Sequence, residues 1–319
     1  MKQLLIPIYP PHFHLVGQFL DSVEKFIIDK ENININYITT QSCDNEPLKL
    51  ILAKYKWLSY KIISIEEILE SYSIKESPLP INIVTDKFSY VSIKHWFGAR
   101  YCTEDQLLIV DSESLIIKST SWEYIFNNFF SNKIVFSSDL NFIGTSEMRQ
   151  IVSESLAIVD PENKYPESRN KWTWEYGGWF VEKQLVNEYF DYIEKKHNQN
   201  ALITMNKTAI FGSIPYWQYI DMFKPGSYLF VNTEGALNNF RLSDFYKKYH
   251  NRGSGIIEHL LHGLDESNYI KLQDFVNYYG LNFVRTDTDF KDFNLVKKFI
   301  QETQSIKMIV CSENAGIFI

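Results

Sequence analysis

Leu107-Leu108-Ile109-Val110-Asp111-Ser112-Glu113-Ser114-Leu115-Ile116-Ile117 is a branched apolar run that halts on two acids one residue apart and then turns apolar again. A strand buried on both faces reads as such a run, and open α/β sheets hold their ligands beyond the carboxyl ends of the strands. Asp111 and Glu113 therefore stand where chemistry is expected in that fold class. Two carboxylates in one turn can converge on a hard divalent cation, which takes oxygen ligands and often shares them with substrate phosphates. The same residues also suit a plain surface turn, since Asp and Ser favour turns for local reasons.

Working outward, Lys2 to Tyr9 reads as a strand ending in the loop Pro10-Pro11-His12, and Phe19, Val23, Phe26 and Ile27 mark one face of a helix after it. Residues 33 to 38 predict a second strand, 48 to 57 an amphipathic helix, and 60 to 65 a third strand. Pro78 and Pro80 make a break, and Tyr90 to Phe97 predicts a helix running into Gly98. Strands follow at 107 to 110 and 133 to 139, the latter again ending on an acid, Asp139. This alternation predicts an α/β fold with a mostly parallel sheet flanked by helices. Residues 1 to 140 form its regular half. Residues 141 to 319 are irregular and aromatic-rich, with strands predicted at 201 to 210, 227 to 232 and 306 to 311 and helices at 256 to 263 and 293 to 302. No Pro/Gly/Ser-rich separator divides the halves, so one continuous packed unit is expected.

The chain of 319 residues is 45% apolar and 22% charged, which suits a globular protein and argues against disorder. A net charge of −7 without a concentrated basic footprint argues against nucleic acid as a partner. No apolar run approaches membrane-spanning length, and Pro7, Pro10 and Pro11 break any secretory core near Met1. A cytoplasmic location is expected. Cys43, Cys102 and Cys311 are too few and too scattered for a disulfide or zinc framework.

A second stretch, Lys171-Trp172-Thr173-Trp174-Glu175-Tyr176-Gly177-Gly178-Trp179-Phe180-Val181-Glu182-Lys183, packs three Trp into eight residues beside two Gly and two Glu. Aromatic faces stack on sugar rings while Trp and Tyr edges keep polar handles. Adjacent carboxylates can take hydroxyl protons, and Gly177-Gly178 lets backbone approach a ligand closely. An aromatic core cluster would use the same residues. Lys94, His95 and Arg100, ahead of the acid pair, offer cations for a diphosphate; Asp86 is a candidate contact to a nucleoside.

Taken together, an acid-x-acid strand end in an α/β half followed by a Trp- and Gly-rich stretch resembles the GT-A type of nucleotide-sugar glycosyltransferase. Asp111-Ser112-Glu113 looks like its DxD motif with Glu in the second acidic place, and Leu5-Ile6-Pro7-Ile8-Tyr9-Pro10 like its first strand and donor-base loop. The resemblance implies a GT-A-like fold and a donor site that includes Pro7, Tyr9 and Ser112. It implies Mn2+ or Mg2+ held by Asp111 and Glu113, with His259 or His262 as a late ligand. The longer reach of Glu113 leaves metal-independent transfer open. Trp172, Trp174, Tyr176, Gly177, Gly178 and Trp179 would receive the acceptor, and Glu175 or Glu182 would act as base.

The implied activity is transfer of a sugar from a nucleotide donor, a UDP-sugar first, to a glycan or lipid-linked acceptor. Bacterial surface polysaccharide or lipooligosaccharide synthesis is the implied setting, with the enzyme cytoplasmic and peripheral to the inner membrane through Lys195-Lys196 and Lys247-Lys248. A non-catalytic carbohydrate-binding protein on the same scaffold is the alternative.

Overall fold

The computed structural model describes residues 2–71, 93–165, 170–173, 179–206, 213–250, 255–286 and 290–310. Its strands are β1 Lys2–Pro7, β2 Ile33–Thr39, β3 Ser59–Ser64, β4 Gln106–Ile109, β5 Leu115–Ile116, β6 Ile134–Asp139, β7 Lys171–Trp172, β8 Trp179–Glu182, β9 Leu229–Asn232, β10 Phe283–Arg285 and β11 Met308–Val310. Leu4, Leu5, Leu107 and Leu108 are fully enclosed, as continuous apolar runs require when both faces of a sheet are covered.

The main sheet has the order β3-β2-β1-β4-β8. β1, β2, β3 and β4 are parallel, and β8 pairs antiparallel to β4. Helix Phe13–Phe26 connects β1 to β2, burying Val16, Phe19, Leu20 and Val23 at three- and four-residue spacings. Helix Asn45–Leu52 connects β2 to β3. The observed architecture is thus the expected mixed, mostly parallel sheet flanked by helices. The chain runs outward from β1 to β3 and then returns to set β4 on the other side of β1. β1 and β4 consequently flank the point where strand order reverses, which is where crevices open in such sheets.

Beyond the acid pair the chain leaves the main sheet. Leu115 and Ile116 join a second sheet of order β10-β11-β5, and β7-β6-β9 makes a third. Strand β8 comes from the later half, so the two halves share one sheet as well as one apolar core.

Several boundaries differ from expectation. The strand predicted at 201 to 210 is replaced, over its described part, by helix Ala201–Asn206. Asn200 starts it by accepting the Leu202 N–H on its side chain, and Ala201, Leu202 and Met205 pack inward at helical spacing. The helix predicted over 48 to 57 runs instead from Asn45 to Leu52, after a capped turn at Ser42–Asp44. Residues 90 to 92 lie outside the described residues. Ile93–Phe97 forms one wide helical turn continued by Gly98–Arg100.

Candidate active site

The carboxyl ends of β1 and β4 bring together parts of the chain a hundred residues apart. After β1, Tyr9 and the turn Pro10–His12 swing the chain over the sheet, with Pro fitting the first positions of the turn. After β4, Val110 donates its N–H to Leu5 O and so holds Asp111 at the sheet's rim. His12, largely buried, bridges the two loops. Its Nδ1 lies 2.9 Å from Ser112 Oγ and 2.8 Å from Glu113 Oε1. Ser112 Oγ donates to Glu113 Oε2 at 3.0 Å.

The other imidazole nitrogen completes a chain of contacts. Tyr9 Oη lies 2.5 Å from His12 Nε2, with the two rings 4.0 Å apart. Tyr9, the His12 ring and Glu113 thus form a continuous line of polar contacts. Glu113 is in this way oriented from two sides, while Asp111 keeps a third of its side chain exposed.

The wide turn Ile93–Phe97 adds the cations. Such turns recur at functional sites because they re-aim side chains. Lys94 Nζ donates to Ile8 O at 2.6 Å and to Thr40 Oγ1 at 2.8 Å, which puts an ammonium across the ends of β1 and β2. Burial pushes Lys94 down to about 8, opposed by the charge of Asp44. His95 Nε2 lies 3.7 Å from Asp111 Oδ1. Burial lowers His95 below its ordinary value, with Lys94 acting in the same direction and Asp111 against it. A neutral imidazole beside a half-exposed carboxylate, with a lysine behind both, is a setting able to receive phosphate and a cation together.

The expected site residues divide sharply. Pro7 ends β1, and Tyr9, Lys94, Asp111, Ser112 and Glu113 all border the reversal point. Asp86, Trp174, Glu175, Tyr176, Gly177 and Gly178 lie outside the described residues. The backbone of Trp179 pairs with Ile109, so β8 begins at the end of β4 nearer Asp111. Trp172 is buried, its backbone paired with Ser138.

Two expectations, for Glu182 and Arg100, are corrected. Glu182 pairs with Gln106 at the opposite end of β4, and its carboxylate takes both Lys133 contacts at 2.8 Å. At about 3.3 Å per residue, the five positions from Gln106 to Asp111 put it roughly 16 Å from the acid pair, too far for a base. Arg100 turns toward helix Lys183–His197, where it meets Asp191 and Glu194 and stacks over Phe190. His259 and His262 sit among aromatic rings, Tyr246 and Phe290 respectively. Burial, with the charges of His250 and His262, lowers His259 to about 3. Among the described residues no group of three His, Cys, Asp or Glu side chains gathers to hold a metal. Two carboxylates suffice for an ion that takes its other ligands from phosphate and water.

His12 and Thr40 are the participants least legible in the sequence. The Pro-Pro-His turn after a strand is the available signal for His12; Thr40 carries none without the register of β1 and β2.

No family model matches the sequence, and no curated protein matches it. Among solved structures, the chain is similar to mouse xyloside xylosyltransferase 1 in its apo form, at TM-score 0.44 and 10% identity over 98% of this chain and 99% of that one. It is similar to the apo WbbM bifunctional glycosyltransferase at TM-score 0.45 and 10% identity, over 98% of this chain and 45% of that one. Glucosyl-3-phosphoglycerate synthase from Mycobacterium tuberculosis, in complex with Mn2+, UDP and phosphoglyceric acid, gives TM-score 0.35 and 11% identity over 73% and 67%. Identities of 10% to 11% supply no residue-by-residue correspondence.

Proposed function

We propose that this protein is a glycosyltransferase that moves a sugar from a nucleotide diphosphate donor, a UDP-sugar first, to a glycan or lipid-linked acceptor. The observation that carries the reading is the Asp111-Ser112-Glu113 turn at the strand-order reversal, flanked by the buried ammonium of Lys94. Asp111 and Glu113 would hold Mn2+ or Mg2+, and His12 keeps Glu113 aimed. When bound, the ion supplies Lewis-acid stabilisation of the charge on a departing phosphate. Lys94 offers a further positive charge for the same phosphates, and Tyr9, exposed just after β1, would contact the nucleoside.

Attack on the anomeric carbon also requires the acceptor hydroxyl to lose its proton to a base within hydrogen-bond reach. Glu175 is the proposed base, four residues ahead of the Trp179–Ile109 pair. The neighbouring Trp174, Tyr176, Gly177 and Gly178 are proposed for the acceptor. Surface polysaccharide or lipooligosaccharide assembly at the cytoplasmic face of a bacterial membrane is the setting we propose. Among the described residues no helix is long and apolar enough to cross a membrane.

The test is a screen of nucleotide sugars for thermal stabilisation with and without Mn2+. One donor is expected to raise the melting temperature with the metal, and Asp111→Asn is expected to abolish both the shift and turnover. Glu175→Gln should lower kcat by about 100-fold or more, the usual scale of general-base catalysis, with little change in donor affinity. Glycan binding with no nucleotide response would replace the transferase with a carbohydrate-binding protein.

A further inference from the structure

A groove of about 590 Å3 lies far from the acid pair. Helix Phe13–Phe26 starts beside His12 and, at 1.5 Å per residue, carries the chain about 21 Å away. Ile28, just past its end, lines the groove together with Thr120, whose carbonyl accepts the Ile28 N–H. The groove is therefore a separate feature, and its volume lies within the range of ligand sites.

Its lining is polar and held in place. Asn128, which lines the groove, donates from Nδ2 to Gly280 O at 2.5 Å. Asn277, also in the lining, accepts the Ser305 N–H on its Oδ1 at 3.0 Å. Gly280 has φ of +60°, and a Cβ there would stand 2.8 Å from Asn128 Oδ1, so both backbone and amide placement require glycine. Tyr124, 44% exposed, supplies a ring, and Lys307 Nζ sits 5.6 Å from its centroid. Lys118, in the neighbouring strand-end segment, donates to Thr303 O at 2.6 Å. Burial lowers both lysines, and the charge of Lys307 lowers Lys118 further, to about 8. Among the described residues neither ammonium meets a carboxylate.

We propose that this groove binds an acidic oligosaccharide. Sugar hydroxyls donate and accept at once, which suits a lining of hydroxyl and amide side chains such as Ser119, Ser121, Asn128, Asn277 and Gln304. The tyrosine ring packs on the C–H face of a pyranose. A carboxylate or phosphate on the chain would pair with the Lys307 ammonium, which lines the groove and meets no acidic side chain among the described residues. The assignment goes beyond glycosyl transfer and does not depend on it, since no residue of the groove belongs to the acid-pair site.

The experiment probes the full chain with a panel of uronate-, sialate- and phosphate-bearing oligosaccharides and their neutral counterparts, followed by calorimetry of the best binder. An acidic member is expected to bind, with its neutral counterpart weaker by about 10-fold, the effect of losing one charge-assisted contact of about 1.4 kcal/mol. Tyr124→Ala and Lys307→Ala should each weaken binding by about the same factor, while Asp111→Asn should leave it unchanged. No binder in the panel, equal affinity for neutral and acidic members, or binding that survives Tyr124→Ala would overturn the proposal. Loss in Asp111→Asn with retention in Tyr124→Ala would assign the binding to the acid-pair site.

Discussion

Lys94 shows how one residue couples stability to the candidate site. Its folded value, about 8, lies below the ordinary lysine value of 10.5 because burial disfavours the ammonium. Between these two values the unfolded chain holds a proton that the folded chain has released, so raising the pH favours the folded state. Below pH 8 the penalty of the buried charge is fully present. The stability of the wild type relative to Lys94→Met is therefore expected to rise from pH 8 to pH 10, read by urea denaturation at each pH. A difference that stays flat over that window would show that Lys94 titrates as an exposed lysine. Glu182 supplies the opposite case among the acids. Half-exposed and paired with Lys133 away from Asp111, it should cost about 0.2–1 kcal/mol when changed to Gln. Turnover in Glu182→Gln should match the wild type, whereas a loss like that of Glu175→Gln would return it to the list of candidate bases.

Among the elements, the wide turn Ile93–Phe97 and the Gly98–Arg100 turn after it set the aim of Lys94 and His95. They can lie close to the sheet because Gly98 has no side chain. A Cβ at that position would stand 3.0 Å from Ile38 Cγ1 and 3.3 Å from Leu5 Cδ1, in contact with both β2 and β1. Gly98→Ala is expected to destabilise by about 1–3 kcal/mol through overpacking, measured by chemical denaturation. Displacing the turn should also weaken donor binding, because Lys94 reaches the ends of β1 and β2 from it. An Ala variant of unchanged stability would mean that the Ile38 side chain can give way. Element type was readable wherever side-chain periodicity was strong: β1, β2, β3, β4 and helix Phe293–Glu302 follow from their apolar spacing. It failed at Ala201–Asn206, where Ile203 and Thr204 carry strand preference but capping by Asn200 and burial of Leu202 and Met205 favour a helix.

For the whole molecule, the decisive feature is that β8 crosses from the later half to close the edge of β4. Residues 1–140 alone would expose that edge and the apolar faces that Phe180 and Val181 cover. The isolated fragment is expected to be unfolded or aggregated, as read by circular dichroism and size-exclusion chromatography; a monomeric, cooperatively melting fragment would contradict a shared core. The α/β class, the strand that delivers Asp111 and Glu113, and the candidate role of that pair are legible in the order of residues. Those properties are local, carried by the period of apolar residues and by what interrupts it. The assembled fold adds that His12 grips Glu113, that Lys94 spans two strand ends, and that Glu182 and Arg100 turn elsewhere. Contacts between residues a hundred positions apart depend on strand order and register. The periodicity of a single strand specifies which face is buried, but leaves open which neighbour that strand will meet.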